Sequence, residues 1–293
     1  EHRPRRWEPD HADLGEWLIG VRADLLAGLP VKLHGTPVRW IRKIDHRTFV
    51  DESLNALGQE GTIAVLGRFR HDCVAAASKL KGRYTVMGAL DEKVPVAFAR
   101  VVDGGDGKAV AYAMVEFAIK CSVGIPDHIS SDKRKRLGEG KSFTTRSEGL
   151  KATYEAVIRV RDNPEPDAVR TAFELLGKLP GVSIHCREAW NEVSGSLSAA
   201  AADGCTVTEA LQLVRNHTRA TGRRASPRVV SRPLLVKGLE YDHVIILDPS
   251  AYGSHELYVA LTRGSKSVTV ISESSTLPAV AMAKYREKQK RSQ

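Results

Sequence analysis

Clustered cations and glycine turns are what a phosphate-bearing ligand requires, and this chain has both, with 44 Lys and Arg and 24 Gly. One string resembles the end of a phosphate-gripping P-loop: Gly138-Glu139-Gly140-Lys141-Ser142. It fails on two counts. The position five residues before Gly140 is Lys135 instead of glycine, and no apolar strand leads into it. A phosphate cradle needs backbone amides turned inward by a strand–loop–helix, so the segment reads as a flexible basic loop. Leu90-Asp91-Glu92 mimics the acidic pair that holds Mg²⁺ beside such a loop, but it reads equally as the start of a helix. Cys73, Cys121, Cys186 and Cys205 lie far apart and form no CxxC. That argues against a zinc site or a disulfide framework and for buried free thiols in a reducing cytoplasm. No Ser/His/Asp arrangement or carboxylate pair suggests an independent hydrolase. Two basic clusters could face a polyanion: Lys133-Arg134-Lys135-Arg136, and Arg215, Arg219, Arg223 and Arg224. A charge run is as readily a solvated face.

Two further strings place polar residues at the ends of regular elements. The first is Leu235-Val236-Lys237-Gly238-Leu239-Glu240-Tyr241-Asp242-His243-Val244-Ile245-Ile246. Gly238 permits a close backbone approach that a side chain would block. Glu240 is either a ligand-facing carboxylate or a surface partner of Lys237. Lys237 either orients the loop or touches a phosphate. The second string is Glu256-Leu257-Tyr258-Val259-Ala260-Leu261-Thr262-Arg263-Gly264. Arg263 ends a short helix, either as a solvated cation or aimed at a ligand.

The elements that would position these residues follow from periodicity. Leu14, Trp17, Leu18, Val21, Leu25 and Leu26 give helical spacing over 12–28, stopped by Gly28 and Pro30. A short strand is expected at 37–41 and a buried parallel strand at 62–66, closed by Gly67. Asp72 fits an N-cap for a helix through Leu80, and 84–87 suits the next strand. Strand–helix–strand order implies an α/β sheet with right-handed crossovers. After about residue 100 the character turns helical, with helices at 109–122, 149–160, 166–178 and 207–220. The last opens on Thr206 and Glu209 in capping-box spacing. A polar basic segment, 130–146, interrupts them. Strand character returns at 229–230, 243–247 and 267–271, with a helix capped by Ser254 between the last two. The tail from Ala279 to Gln293 reads as a basic helix. The expected architecture is an α/β domain of residues 1–100 and 225–293, split by a mostly helical insertion of residues 101–224.

The bulk numbers bound the function. Of the 293 residues 42% are hydrophobic, enough for a packed core and against disorder. No run reaches the length of a membrane span and no leader is evident, so a cytoplasmic protein without membrane contact is expected. The formal net charge of +9 favours polyanion partners. The chain starts at Glu1 and not at Met, as expected of a piece cut from a longer protein or of a processed one.

Taken together, the strings around Lys237–Glu240 and Tyr258–Arg263 resemble motifs V and VI of UvrD/Rep/PcrA-type superfamily 1 DNA helicases. Those enzymes carry a KGLE-F/Y-D segment running into an apolar strand, then an LYVALTRA helix. Upstream, Ile63-Ala64-Val65-Leu66-Gly67-Arg68 resembles the strand after motif IV, and Glu1-His2-Arg3-Pro4 sits where motif IV stands. The likeness covers roughly residues 1–90 and 226–272. It implies a second RecA-like motor domain with its insertion subdomain, without its own P-loop. On that basis Arg263 would be the arginine finger and Arg3 a second phosphate-sensing arginine. Glu240 would accept a hydrogen bond from the nucleotide ribose, with Gly238 and Lys237 beside it. Single-stranded or partly duplex DNA would be the polymer partner. ATP and Mg²⁺ would be held mainly by an N-terminal RecA-like domain, in cis or in trans, that lies outside these residues. In that order Asp91-Glu92 falls after motif IV, out of place for a Mg²⁺-holding pair. One departure stands out. The family has Thr and His shortly before the Lys-Gly pair, where this chain has Arg232 and Leu234. The DNA contact is then expected to pass to Ser231 or Arg232, with Arg68 as a second DNA-facing residue. The implied activity is ATP-driven DNA translocation, with the chain alone inactive. The competing expectation is a non-catalytic DNA- or partner-binding module derived from such a helicase.

Overall fold

The computed structural model describes residue 7 and residues 11–45, 47–88, 90–221 and 226–278. The chain divides into two compact units, residues 1–80 with 226–293, and residues 81–225.

In the first unit, α1 (Ala12–Ala27) buries Leu14, Leu18, Val21 and Leu25, one stripe at helical spacing. Gly28 ends it in the left-handed conformation at φ 74°. Then come β1 (Val31–Lys32), β2 (Arg39–Arg42), α2 (Thr48–Asn55), β3 (Ile63–Leu66) and α3 (Arg70–Lys79). All four residues of β3 are fully buried, as expected of a strand covered on both faces. Asp72 is not the cap of α3. Phe69 takes that place, and the Asp72 carboxylate reaches back to accept the Phe69 N–H at 3.3 Å.

The second unit is mostly helical. Its elements are β4 (Thr85–Val86), α4 (Lys93–Asp103), α5 (Gly107–Cys121), β5 (Ser122–Val123), α6 (Ile125–His128), α7 (Ser131–Gly138), α8 (Glu148–Asp162), α9 (Pro166–Gly177), β6 (Ser183–Ile184), α10 (Arg187–Asp203) and α11 (Val207–Thr221). The boundary at Leu80 lies well before the expected residue 100. The reason is α4, whose Phe98, Ala99 and Val102 are buried among helices of this unit. Phe98 stacks on Phe117, Phe117 meets Phe173, and Phe173 stacks on Trp190 with ring centroids 3.9 Å apart. Asp103, expected in a loop, ends α4, and its carboxylate accepts the N–H groups of Val207 and Thr208 at 2.7 and 3.0 Å. It thereby caps α11 together with the Thr206–Glu209 box.

The chain then returns to the first unit with β7 (Arg228–Ser231), β8 (Tyr241–Leu247), α12 (Ser254–Leu261), β9 (Gly264–Ser272) and β10 (Thr276–Leu277). Gly253, and not Ser254, caps α12, with Glu256 accepting its N–H at 3.3 Å. Within this unit the strands run β2-β9-β8-β3-β7, and every one of these pairings is parallel. α2 and α3 pack against sheet strands, and α1 packs on α12. β1 and β10 form a separate antiparallel pair.

One polar clamp registers the sheet. The Asp242 carboxylate accepts the Thr62 N–H at 2.7 Å and its hydroxyl at 3.0 Å, and pairs with Lys266 at 2.9 Å. These bonds, the Thr62 N–H first, hold its pKa down at about 2. Gly61 makes room for it, since a Cβ there would stand 2.3 Å from Asp242 Oδ2. Two outcomes follow. The folded-state pKa lies below the unfolded value, so the stabilisation is present above about pH 4 and fades as pH falls toward 2. Asp242→Asn should flatten that part of the stability–pH curve measured by urea titration. Phe173→Ala should cost roughly 3–5 kcal/mol in chemical denaturation, because it empties the centre of the aromatic column.

Candidate functional site

The parallel sheet has two ends, and polar residues gather at both. At the amino ends of β8 and β9, Tyr241 pairs with Gly264, and the Tyr241 N–H donates to the Arg263 carbonyl at 3.0 Å. The Arg263 side chain continues the link. Its Nε donates to Val259 O at 3.1 Å, Nη2 to Thr262 Oγ1 at 3.1 Å, and Nη1 to Leu239 O at 2.9 Å. The guanidinium thus covers the carboxyl end of α12, where unpaired carbonyls concentrate negative charge, and grips the loop before Glu240. Trp7 is buried against the same corner, its indole N–H donating to Gly264 O at 3.0 Å.

The gripped loop is exposed from Lys237 through Glu240 and anchored behind by buried Val236. Gly238 adopts φ 86°, a left-handed conformation that other residues resist, with open space where a Cβ would stand. Glu240 is one residue from the carbonyl that Arg263 holds. The two strings singled out in the sequence therefore meet, although β8 and α12 separate them along the chain. Arg3 lies outside the described residues.

At the carboxyl ends, Leu66 of β3 pairs with Ser231 of β7, and the Gly67 N–H donates to Ser231 O at 2.9 Å. Arg68 and Arg232 follow these strands directly and are half-buried. Arg68 lies over the exposed Phe69 ring at 4.8 Å, and Phe69 stacks on His71. Ser231 faces the other way. It is 0% exposed, with its hydroxyl turned to Arg232 O, so its side chain is withdrawn from any ligand in this conformation. Of the three residues expected to meet DNA at this end, Arg232 and Arg68 are the more accessible. Further along the same edge, Lys43 pairs with Asp248 at 2.7 Å, which raises the lysine and lowers the carboxyl. Asp248 sits at φ 42°, unusual for a residue other than glycine.

The basic clusters are less free than the sequence suggested. Lys133 donates to His128 O and Tyr154 Oη, and Arg134 pairs with Glu116 at 2.5 Å. Arg215 pairs with Glu192. Arg223 and Arg224 lie outside the described residues. The Gly138–Ser142 string is neither a phosphate cradle nor a loose loop. It follows the carboxyl end of α7, and Arg161 donates to Gly140 O at 3.1 Å and Ser142 Oγ at 2.9 Å. A helix carboxyl end tied down by an arginine has the wrong polarity for phosphate. Asp91 does open a helix, accepting the Lys93 N–H at 3.0 Å.

The donor set fits part of a nucleotide. An exposed carboxylate, an open glycine turn and a guanidinium suit a sugar and a terminal phosphate. Among the described residues no group of three or more His, Cys, Asp or Glu could hold a metal ion, and no helix is long and apolar enough to cross a membrane. Compared with known protein families and with curated proteins, the chain matches none.

If the Arg263 guanidinium holds the loop, Arg263→Ala should speed amide exchange at 237–241 severalfold. Protection in β3 and β8 should stay unchanged in hydrogen-exchange mass spectrometry.

Proposed function

We propose that this chain is the second motor half of an ATP-driven DNA helicase or translocase of the UvrD/Rep-like kind, with residues 1–80 and 226–293 forming a RecA-like domain. One observation carries the reading: the Arg263 guanidinium and the Lys237–Glu240 loop, matched separately to motifs VI and V, are hydrogen-bonded to each other. Two independent likenesses that fold into one corner are better support than either alone.

In this reading the nucleotide supplies a transferable phosphoryl group, and the chain's residues act around it. Glu240 accepts from a ribose hydroxyl. Gly238 lets backbone come close. Arg263 leaves the carbonyls of Val259 and Leu239 and turns to the charge that builds on the phosphoryl oxygens. Arg68 and Arg232 neutralise phosphates of single-stranded DNA at the opposite end of the sheet. The grip on the β-phosphate and Mg²⁺ belongs to a separate P-loop-bearing half, and that half completes the site.

Two measurements test this. The purified chain should show no ATP turnover above background, with or without single-stranded DNA; steady turnover abolished by Arg263→Ala would overturn the proposed division of labour. The chain should bind single-stranded oligonucleotide in a salt-dependent way. Arg68→Ala and Arg232→Ala should each weaken binding and lower the slope of log K against log salt by about 0.7. Unchanged slopes in fluorescence anisotropy would remove DNA from that end of the sheet.

A further inference from the structure

The fold brings together two thiols that the sequence keeps far apart. Cys121 is the last residue of α5, and Cys186 caps α10. β5 and β6 pair Ser122 with Ile184 and Val123 with Ser183, so the next pair along the ladder is Cys121 with His185. The N–H groups of both His185 and Cys186 donate to the Cys121 carbonyl at 3.0 Å. Backbones this close suit the short Cα separation of a disulfide. Cys121, Cys186 and His185 are 0%, 1% and 2% exposed.

His185 is the anomaly of the cluster. Among the described residues neither buried ring nitrogen meets a partner in good hydrogen-bond geometry, although the ring lies close enough to Cys186 to favour its thiolate. Buried polar atoms are nearly always satisfied, so an imidazole in that state beside two thiols calls for a reason. The Cys186 thiol is buried and donates to Lys120 O at 3.6 Å. It stands at the amino end of a 17-residue helix, where the helix dipole favours a thiolate. The Cys121 thiol, and after it His185, favour its thiolate, against the opposing effect of burial. Cys121 is pushed the other way by the same pairing and by burial. A cavity of about 400 Å³ lies nearby, lined by Ile184, Arg187 and Trp190 among others but not by Cys186, Cys121 or His185.

We propose that Cys186 and Cys121 are a peroxide-responsive dithiol of the second unit, with His185 as the proton acceptor. His185 takes the Cys186 proton. The thiolate attacks hydrogen peroxide; an S–O bond forms, the O–O bond breaks, and the departing hydroxide leaves as water with the proton from His185. The Cys121 sulfur then attacks the Cys186 sulfur. The S–S bond forms, the S–O bond breaks, and the Cys121 proton leaves with the hydroxyl as a second water. Two thiols lose two electrons and one peroxide gains them. The product ties the carboxyl end of α5 to the amino end of α10.

To test this, the reduced chain is exposed to hydrogen peroxide, alkylated in denaturant and mapped by mass spectrometry. The expected result is a single cross-linked species joining the Cys121 and Cys186 peptides, while the less buried Cys205 is still alkylated. Cys121→Ser should leave a sulfenic acid on Cys186 that dimedone captures, and His185→Asn should slow cross-linking severalfold. Full alkylation of Cys121 and Cys186 after peroxide treatment, whatever happens to Cys205, overturns the proposal. So does a disulfide between any other pair. The wild-type experiment decides on its own if a variant does not fold.

Discussion

The hydrogen bond from Arg263 to the Leu239 carbonyl is the interaction on which the candidate site depends. It fastens the turn before β8 to the turn before β9. It adds to the turn bond from the Leu239 N–H to Val236 O in fixing the course of the exposed run from Lys237 to Glu240. A guanidinium suits the task because its planar fork can serve several carbonyls at once. It finds them in Val259 and Leu239, with the Thr262 hydroxyl beside them. The same group is suited to receive phosphoryl oxygens, so what organises the loop in this conformation is also the best candidate for meeting a ligand.

The sheet then makes a second use of that loop. β7 ends at Ser231, beside Arg232 and next to the Gly67–Arg68 end of β3. From there a single 3-10 turn, Pro233–Val236, carries the chain back to Glu240 at the opposite edge. One short connection therefore starts among cations at the carboxyl ends of the strands and finishes under Arg263 at the amino ends. On the proposed function, the two ligand-facing ends are joined by a few residues whose centre, Val236, is buried.

Much of this was legible in the sequence where local signals were strong. The β3 and β8 runs are continuous and apolar, and both became buried parallel strands. α1 announced itself by spacing and by Gly28. The errors have physical causes. α10 went unread because its Ser- and Ala-rich stretch buries small residues, Ser196 and Ala200, between Trp190, Val193 and Leu197, which hides the periodicity. α7 was read as a loop because its one buried anchor, Leu137, stands in a run of charges. Asp72 and Ser254 were each placed at a cap, whereas the carboxylates of Asp72 and Glu256 reach back from the third helical position. Ser231 is polar by type, yet β7 is covered at Val229, Val230 and Ser231 alike. The Cys121–Cys186 pairing carried no sequence signal, because only the fold closes that distance.

The account stands or falls on what Arg263 does once a nucleotide is present. The most direct measurement is single-stranded-DNA-stimulated ATP turnover by the chain joined to its P-loop-bearing half, comparing wild type with Arg263→Ala. An arginine finger predicts a loss of about a thousandfold or more in kcat, with oligonucleotide binding little changed. Turnover that persists within a few fold of wild type would contradict the account, and would leave Arg263 as the fastening of a loop and nothing more.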